Sequence, residues 1–342
     1  LAKINSSEFQ NFIISNIESH PAEIVTIAAR HFNVSRQAVH NRMRLLTNAG
    51  VIEMHGVKKN ARYGLINHEK CFTFNRSECP PEDIIFSKFV KQALPEDISE
   101  NILQICNYGF TEIFNNALDH SESRTISIVT GYNARNIKLY VLDDGVGIFN
   151  KIQKALDLED TKFAILELAK GKLTTAPDRH SGEGIFFTSR VFDTFYIMSA
   201  TLIFFGHRDK DLIVDDKTEI KGTAVTMTIH RDSKTTIKSV FDEYTSDARD
   251  DYAFVRTVIP VKLMQYEGEA LMSRSQAKRL TMRFERFREV VLNFEGVKTI
   301  GQAFADEIFR VFKNAHPEVN LMIDNADDSI LNMVNWVKKS SL

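Results

Sequence analysis

The sequence predicts an α/β protein of several domains, and three observations lead there. The chain has 342 residues, more than one domain usually holds. Its apolar spacing is helical near the start and becomes strand-like toward the middle. Over residues 257–342 strand and helix patterns then alternate, the signature of a small layered α/β unit.

Residues 1–70 form the first unit. "EFQNFIISNIESH" and "AEIVTIAARHF" have helical spacing, "NVS" turns the chain, and "SRQAVHNRMRLLTNAG" supplies a third helix. Ser35 is its expected N-cap, because a hydroxyl can accept from a first-turn amide, and Gly50 its expected C-cap. Val39, Met43 and Leu46 fall on the inward stripe, leaving Arg36, Gln37, His40 and Arg44 outward. "VIEMHGVKKNARYGLI" reads as two short strands around a loop with Lys58, Lys59 and Arg62. Residues 71–96, punctuated by Pro80, Pro81 and Pro95, are expected to be a connector with a short helix at 82–92.

The central unit spans 97–231. A long helix starts near Ser99 and runs through "GFTEIFNNALDHS", and "RTISIVTGYN" and "NIKLYVLDDG" follow as adjacent strands. Residues 151–170 return to helical spacing. "GKLTTAPDRHSGEG", residues 171–184, is too interrupted by glycine and proline for a regular element. A helix at 184–192 leads into "FDTFYIMSATLIFFGHR", "DLIVDD" and "GTAVTMTIHR", read as antiparallel strands. The result is an α/β sandwich with a mixed, mainly antiparallel sheet. Residues 232–256 are polar and weakly patterned, a linker. Strands at 257–263, 289–294 and 319–324 then alternate with helices at 274–284, 301–313 and 328–338.

Composition narrows the class. Apolar residues make up 43% and charged residues 26% of the chain, which describes a folded protein rather than a disordered one. The net charge of −2 gives no global attraction to nucleic acid, yet residues 1–70 hold nine Lys/Arg against five Glu, a local basic excess. Cys71, Cys79 and Cys106 form no CxxC and are odd in number, which suits a reducing compartment. With no apolar run long enough to span a bilayer and no signal core, a cytoplasmic protein without membrane contact is expected.

The chemistry concentrates in the central unit. On a helix Glu112, Asn116 and His120 step round by about 40° each, and Asp119, between the last two in sequence, falls about 20° beyond Glu112, so they share one edge. Phe110, Ile113, Phe114, Ala117 and Leu118 cover the other arc. A polar edge so concentrated borders water, a metal or a ligand. "YVLDDGVGIF" ends a strand at Asp143 and follows it with Gly145 and Gly147. Glycine lets the backbone turn and approach a planar ligand, and a carboxylate can accept from an exocyclic amine. "HSGEGIF" precedes a helix whose early amides could receive phosphate oxygens.

The order of these pieces, E-x3-N-x3-H on a helix, D-x-G-x-G after a strand, G-x-G before a helix and "GT" entering a late strand, resembles the GHKL, or Bergerat, ATP-binding fold. That fold is shared by DNA gyrase, a heat-shock chaperone class, mismatch-repair ATPases, sensor histidine kinases and anti-sigma-factor serine kinases. The resemblance covers about 150 residues and implies ATP and Mg²⁺ as cofactors. It implies that Asn116 ligates Mg²⁺, that Asp143 receives the adenine amino group with Thr223 nearby, and that Gly145 and Gly147 shape the base pocket. Gly182 and Gly184 would let a lid close over the phosphates. Lys172, Arg179 and His180 are the lid's candidate phosphate partners, with no sign of which points inward. Glu112 matches the residue that orients the attacking nucleophile.

By domain size and by Glu112 the serine-kinase branch is the nearest. No dimerising hairpin precedes residue 97 to feed a histidine kinase, and His120 lies inside the nucleotide helix. Slow ATP hydrolysis, serine/threonine kinase activity toward a partner, and ATP sensing without turnover all remain compatible with these residues.

The flanking units carry their own resemblances. Residues 21–70 resemble a winged helix-turn-helix, which implies double-stranded DNA as a partner. Arg36, Gln37, His40 and Asn41 would then read base edges, and Arg44, Lys58, Lys59 and Arg62 would contact phosphates. One such module makes few phosphate contacts, so useful affinity is expected from a homodimer or a multi-site assembly. Residues 257–342 resemble a STAS-like domain, which implies a docking or regulatory role toward a protein partner. Anti-sigma antagonists place a phosphorylatable serine at the matching strand-to-helix junction. Here that stretch is "TIGQAFAD", without serine, and Thr299 sits early. Ile300, Ala303, Phe304 and Ile308 read as packing residues, and Gly301 as a point of close backbone approach.

Overall fold

The structure, a computed structural model, describes residues 5–56, 60–173, 182–207, 210–245, 254–265 and 270–339. It is a mixed α/β protein in which two small units flank a central sandwich.

Helices α1 (Ser6–Asn16), α2 (Ile24–His31) and α3 (Arg36–Asn48) pack around Phe9, Ile13, Val39 and Met43. The α3 boundaries follow from cap chemistry. Ser35 Oγ accepts from the Ala38 amide at 3.2 Å, and the helix ends before Gly50, whose φ of 69° suits a residue without a β-carbon. Strands β1 (Ile52–His55) and β2 (Arg62–Leu65) form an antiparallel hairpin. Ile52 and Leu65, facing partners in that register, close the same core.

The expected connector at 71–96 is instead largely part of the central layer. Strand β3 (His68–Asn75) pairs antiparallel along its whole length with β4 (Thr125–Tyr132). Helix α4 (Glu82–Ile85) and the turns after it then bury Ile85, Val90 and Phe86, the last with its ring 5.7 Å from that of Phe110.

The central sheet adds β5 (Asn136–Asp143), β6 (Thr194–His207) and β7 (Lys210–His230) in the order β3-β4-β5-β7-β6, every pair antiparallel. "DLIVDD" and "GTAVTMTIHR" belong to one continuous strand, β7, whose register against β6 shifts around Ala200. Helix α5 (Glu100–His120) lies on the sheet with α6 (Ile148–Leu156), α7 (Lys162–Lys170) and α8 (Gly184–Val191). Alternate strand residues such as Ile126, Ile128, Leu139, Val141, Ile197 and Met227 meet Phe110, Phe114 and Phe149 in one core, as the period of two requires. Truncating one of these buried rings to alanine would cost about 3–5 kcal/mol.

The expected linker at 232–256 also holds a helix, α9 (Ile237–Tyr244), started by a Thr236–Ser239 capping box. Its Phe241 ring stacks on Phe187 at 3.9 Å between centroids, which sews this segment to α8.

The C-terminal unit follows the expected alternation: β8 (Arg256–Pro260), α10 (Arg274–Thr281), β9 (Glu289–Asn293), α11 (Gln302–Asp306) extended to α12 (Lys313–Ala315), β10 (Asn320–Asp324) and α13 (Asp328–Lys339). Its sheet is parallel in the order β10-β9-β8. Its apolar side chains are continuous with the central core. Among the described residues no helix is long and apolar enough to cross a membrane.

Candidate functional site

A cavity of about 310 Å³ opens between α5, the end of β5, the Thr223–Val225 stretch of β7, and the starts of α6 and α8. Glu112, Asn116 and His120 line it from one edge of α5, as their spacing requires. Asp119 is exposed and does not line it. Asn116 is oriented by its own helix: Nδ2 donates to the Glu112 carbonyl at 2.7 Å. A carbonyl can only accept, so the nitrogen must face it and Oδ1 remains on the other side as an oxygen donor atom.

Asp143 and Thr223 are register partners where β5 and β7 meet, and both line the cavity. The Asp143 carboxylate accepts from the Gly145 amide at 2.9 Å and from Thr223. The Thr223 hydroxyl in turn accepts from the Ile148 amide at 3.0 Å, so donor and acceptor roles are fixed along the chain. Burial holds the Asp143 carboxyl above the ordinary aspartate range, opposed by the bonds from Gly145 and Thr223.

Two glycines make this geometry feasible. A β-carbon on Gly145 would lie 1.9 Å from the Ser121 carbonyl oxygen, so only glycine lets the "DDGVG" turn sit on the end of α5. Gly222, just before Thr223, has φ of 79°, and a β-carbon there would meet the Asp143 carbonyl oxygen at 2.0 Å. Sequence reasoning passed over Gly222, although the "GT" pair was its signal. It also passed over Lys151, which among the described residues lining the cavity is the sole lysine or arginine. The Lys151 ammonium bonds to the His120 carbonyl at 2.6 Å and to Glu122 at 3.0 Å.

The G-x-G motif arrives through α8. Gly182 and Gly184 line the cavity, and the Gly182 carbonyl accepts from the Leu173 amide at 3.0 Å. Lys172 is not brought to the cavity. Its ammonium donates to the Arg286 carbonyl at 2.9 Å and lies 5.0 Å from the Phe287 ring centre. Burial there pulls it below the usual lysine range. Arg179 and His180 lie outside the described residues.

Among the described residues no cluster of three or more His, Cys, Asp or Glu is arranged to hold a metal. A cation in the cavity would therefore rely on isolated oxygens such as Asn116 Oδ1, together with ligand oxygens and water. That coordination style suits Mg²⁺, which keeps much of its water, rather than zinc.

On the N-terminal unit Arg36, Gln37, His40, Asn41 and Arg44 are exposed on α3, and Arg62 is exposed on β2. The Arg36 guanidinium donates to Thr26 Oγ1 at 2.8 Å, and Gln37 donates to Asn41 at 3.4 Å. Lys58 and Lys59 lie outside the described residues. Arg42 packs over Phe9, 5.4 Å from its centroid. At the C-terminal junction Ile300, Phe304 and Ile308 are buried, and the Gly301 amide donates to the Leu271 carbonyl at 2.7 Å.

Residues 276–331 match a family described as a STAS-like domain of unknown function (DUF4325). No curated protein sequence matches the chain.

Proposed function

We propose that the chain binds ATP with Mg²⁺ in the α5–α8 cavity and hydrolyses it slowly, and that this controls the state of a DNA-binding or partner-docking module. On this reading the central layer is a Bergerat-type sandwich of the GHKL class. Residues 21–70 are a winged helix-turn-helix that meets double-stranded DNA, and the STAS-like unit is a docking module.

The observation that supports it is convergence. Glu112 and Asn116 of α5, Asp143 and Gly147 at the end of β5 and the turn after it, Gly184 of α8 and Thr223 of β7 line a single cavity. Bound ATP would supply a transferable phosphoryl group, with Mg²⁺ offsetting its charge. Asn116 offers an oriented oxygen to a hard cation. Asp143, anchored by Gly145 and Thr223, can accept from an amine at the apolar end formed by Val141, Ile152 and Val225. Glu112 reaches the first residue of α8, where a carboxylate can accept a hydrogen bond from water or from a partner's hydroxyl.

Calorimetry with Mg²⁺ and ATP tests the reading. Saturable heat is expected from the wild type. Asn116→Ala should lose the metal-dependent part of that heat, and Glu112→Ala should retain it while losing turnover. Absence of heat with folded wild-type protein would overturn the proposal. Labelled ATP then separates outcomes: free phosphate denotes hydrolysis, label on a protein denotes kinase activity, and intact nucleotide after hours denotes sensing alone.

A further inference from the structure

The C-terminal end of α7 forms one wall of the cavity through Leu168, with Leu173 just beyond it. Helix ends leave carbonyls without partners inside the helix, and here the C-terminal unit supplies them. Arg283, which follows α10, donates through Nη1 to the Glu167 carbonyl at 3.2 Å and through Nη2 to the Gly171 carbonyl at 2.8 Å, and also reaches the Lys172 carbonyl. Thr257 of β8 donates to the Lys170 carbonyl at 2.8 Å.

The exchange runs both ways. Lys170, fully buried, donates to the Arg279 carbonyl at 3.2 Å, in the last turn of α10, and to the Met282 carbonyl at 2.8 Å just after it. Between the two helix ends, Glu167 gives one oxygen to Lys170 at 2.5 Å and the other to Arg283 at 2.9 Å. Arg283 has φ of 68°, a left-handed backbone that long side chains seldom adopt. Buried charges held by several partners at once tolerate the loss of one member poorly, and here both Nη atoms of Arg283, both oxygens of Glu167 and the Lys170 ammonium are bonded while Arg283 Nε is buried without a partner. The interface is therefore stiff where it meets the cavity wall.

From this root the contacts continue to the site through described residues alone. Arg286 donates to the Lys172 carbonyl at 3.3 Å, Leu173 bonds to Gly182, and Gly184 abuts Glu112.

We propose that Arg283 is a positioning residue through which the STAS-like unit fixes the Leu168–Leu173 wall, so that whatever docks on this unit alters how the cavity holds its nucleotide. The nucleotide part rests on the functional reading above, while the positioning part does not.

Hydrogen exchange on the full chain without ligand tests the second part directly, comparing wild type, Arg283→Met, Arg283→Lys and Thr257→Val. Amides 168–173 and 182–186 are expected to exchange on the order of tenfold faster in Arg283→Met, with partial rescue in Arg283→Lys and unchanged protection in β4 and β5. Mg²⁺–ATP affinity should weaken by a similar factor. Unchanged exchange at those amides, or acceleration spread evenly over β4 and β5, would overturn the proposal. If Arg283→Met does not fold, Thr257→Val decides the matter, since it deletes only the bond to the Lys170 carbonyl: faster exchange at 168–173 supports the proposal, and wild-type exchange ends it. A wild type that binds no ATP removes the functional reading and leaves the exchange comparison intact.

Discussion

The Glu112 carboxylate lies against Gly184 so closely that a β-carbon on that glycine would sit 1.8 Å from Glu112 Oε2. The polar edge of α5 and the first turn of α8 therefore meet only because residue 184 has no side chain. Gly184→Ala must push the carboxylate aside or shift α8. On the proposed reading turnover should fall at least tenfold, while ATP affinity, to which Asn116, Asp143 and Thr223 would contribute, changes less. Steady-state phosphate release beside calorimetry checks this, and wild-type turnover in the variant would remove Glu112 from the reaction.

Asp143 carries the pH-dependent prediction. Its carboxyl titrates above the ordinary aspartate value because it is buried, so the folded chain holds the proton more tightly than the unfolded one. Stability from this group is thus present below the unfolded value, near 3.9, and is lost as pH rises through the raised folded value. Asp143→Asn removes that cost at neutral pH. The ligand-free variant should be as stable as the wild type or more so in urea, yet bind ATP at least tenfold more weakly. A variant that is less stable at pH 7 and loses the same increment at pH 5 would show that the bonds from Gly145 and Thr223 outweigh burial.

How far the sequence could be read follows local signals. Helix α3 was legible because Ser35 caps it and Val39 and Met43 sit on one stripe. The C-terminal alternation was legible because each element is amphipathic over its own length. Strand β3 was hidden because it is an edge strand with only Phe72 and Phe74 turned partly inward, too faint an alternation beside Pro80 and Pro81. Helix α9 was hidden because it is only two turns long among polar neighbours, although Ile237, Val240, Phe241 and Tyr244 keep a helical period on its inward face. Glu112, Asn116, Asp143 and Thr223, which the cavity gathers, stand out in the sequence because the motifs that carry them are local. Lys172 does not line the cavity because its side chain leans toward Phe287, a direction that proximity to glycines in sequence does not reveal. Glu167 and Lys170 look like a solvated i,i+3 pair until Arg283 and Thr257 cover them.

On the N-terminal unit the exposed cations of α3 and β2 lead to a salt-dependence prediction. If residues 21–70 meet duplex DNA, Arg44→Ala should weaken binding to all sequences alike and lower the slope of log K against log salt by about 0.9, the loss of one phosphate contact. Arg36 is tied to Thr26 at the start of α3, where a base contact is expected. Arg36→Ala should therefore reduce discrimination between sequences by about 1–3 kcal/mol at one position. Fluorescence anisotropy over a salt series measures both. No association at the lowest salt would rule out this surface as a DNA interface.

The three thiols give a probe of α5 itself. Cys71 is exposed, Cys79 is partly covered, and Cys106 is buried on the apolar face of α5, where burial pushes its thiol up to about 12. A disulfide reagent at pH 8 should modify Cys71 promptly, Cys79 more slowly, and Cys106 only when α5 lifts from the sheet, because the attacking species is the thiolate. Glu112 and Asn116 stand on the polar edge of the same helix, so a ligand held there stabilises the closed state that protects Cys106. With opening fast relative to labelling, a nucleotide at 100 times its dissociation constant should slow Cys106 modification about 100-fold and leave Cys71 unaffected. Equal slowing of both thiols would mean the reagent is being quenched. Unchanged Cys106 labelling alongside saturable ATP binding would place the bound nucleotide away from α5.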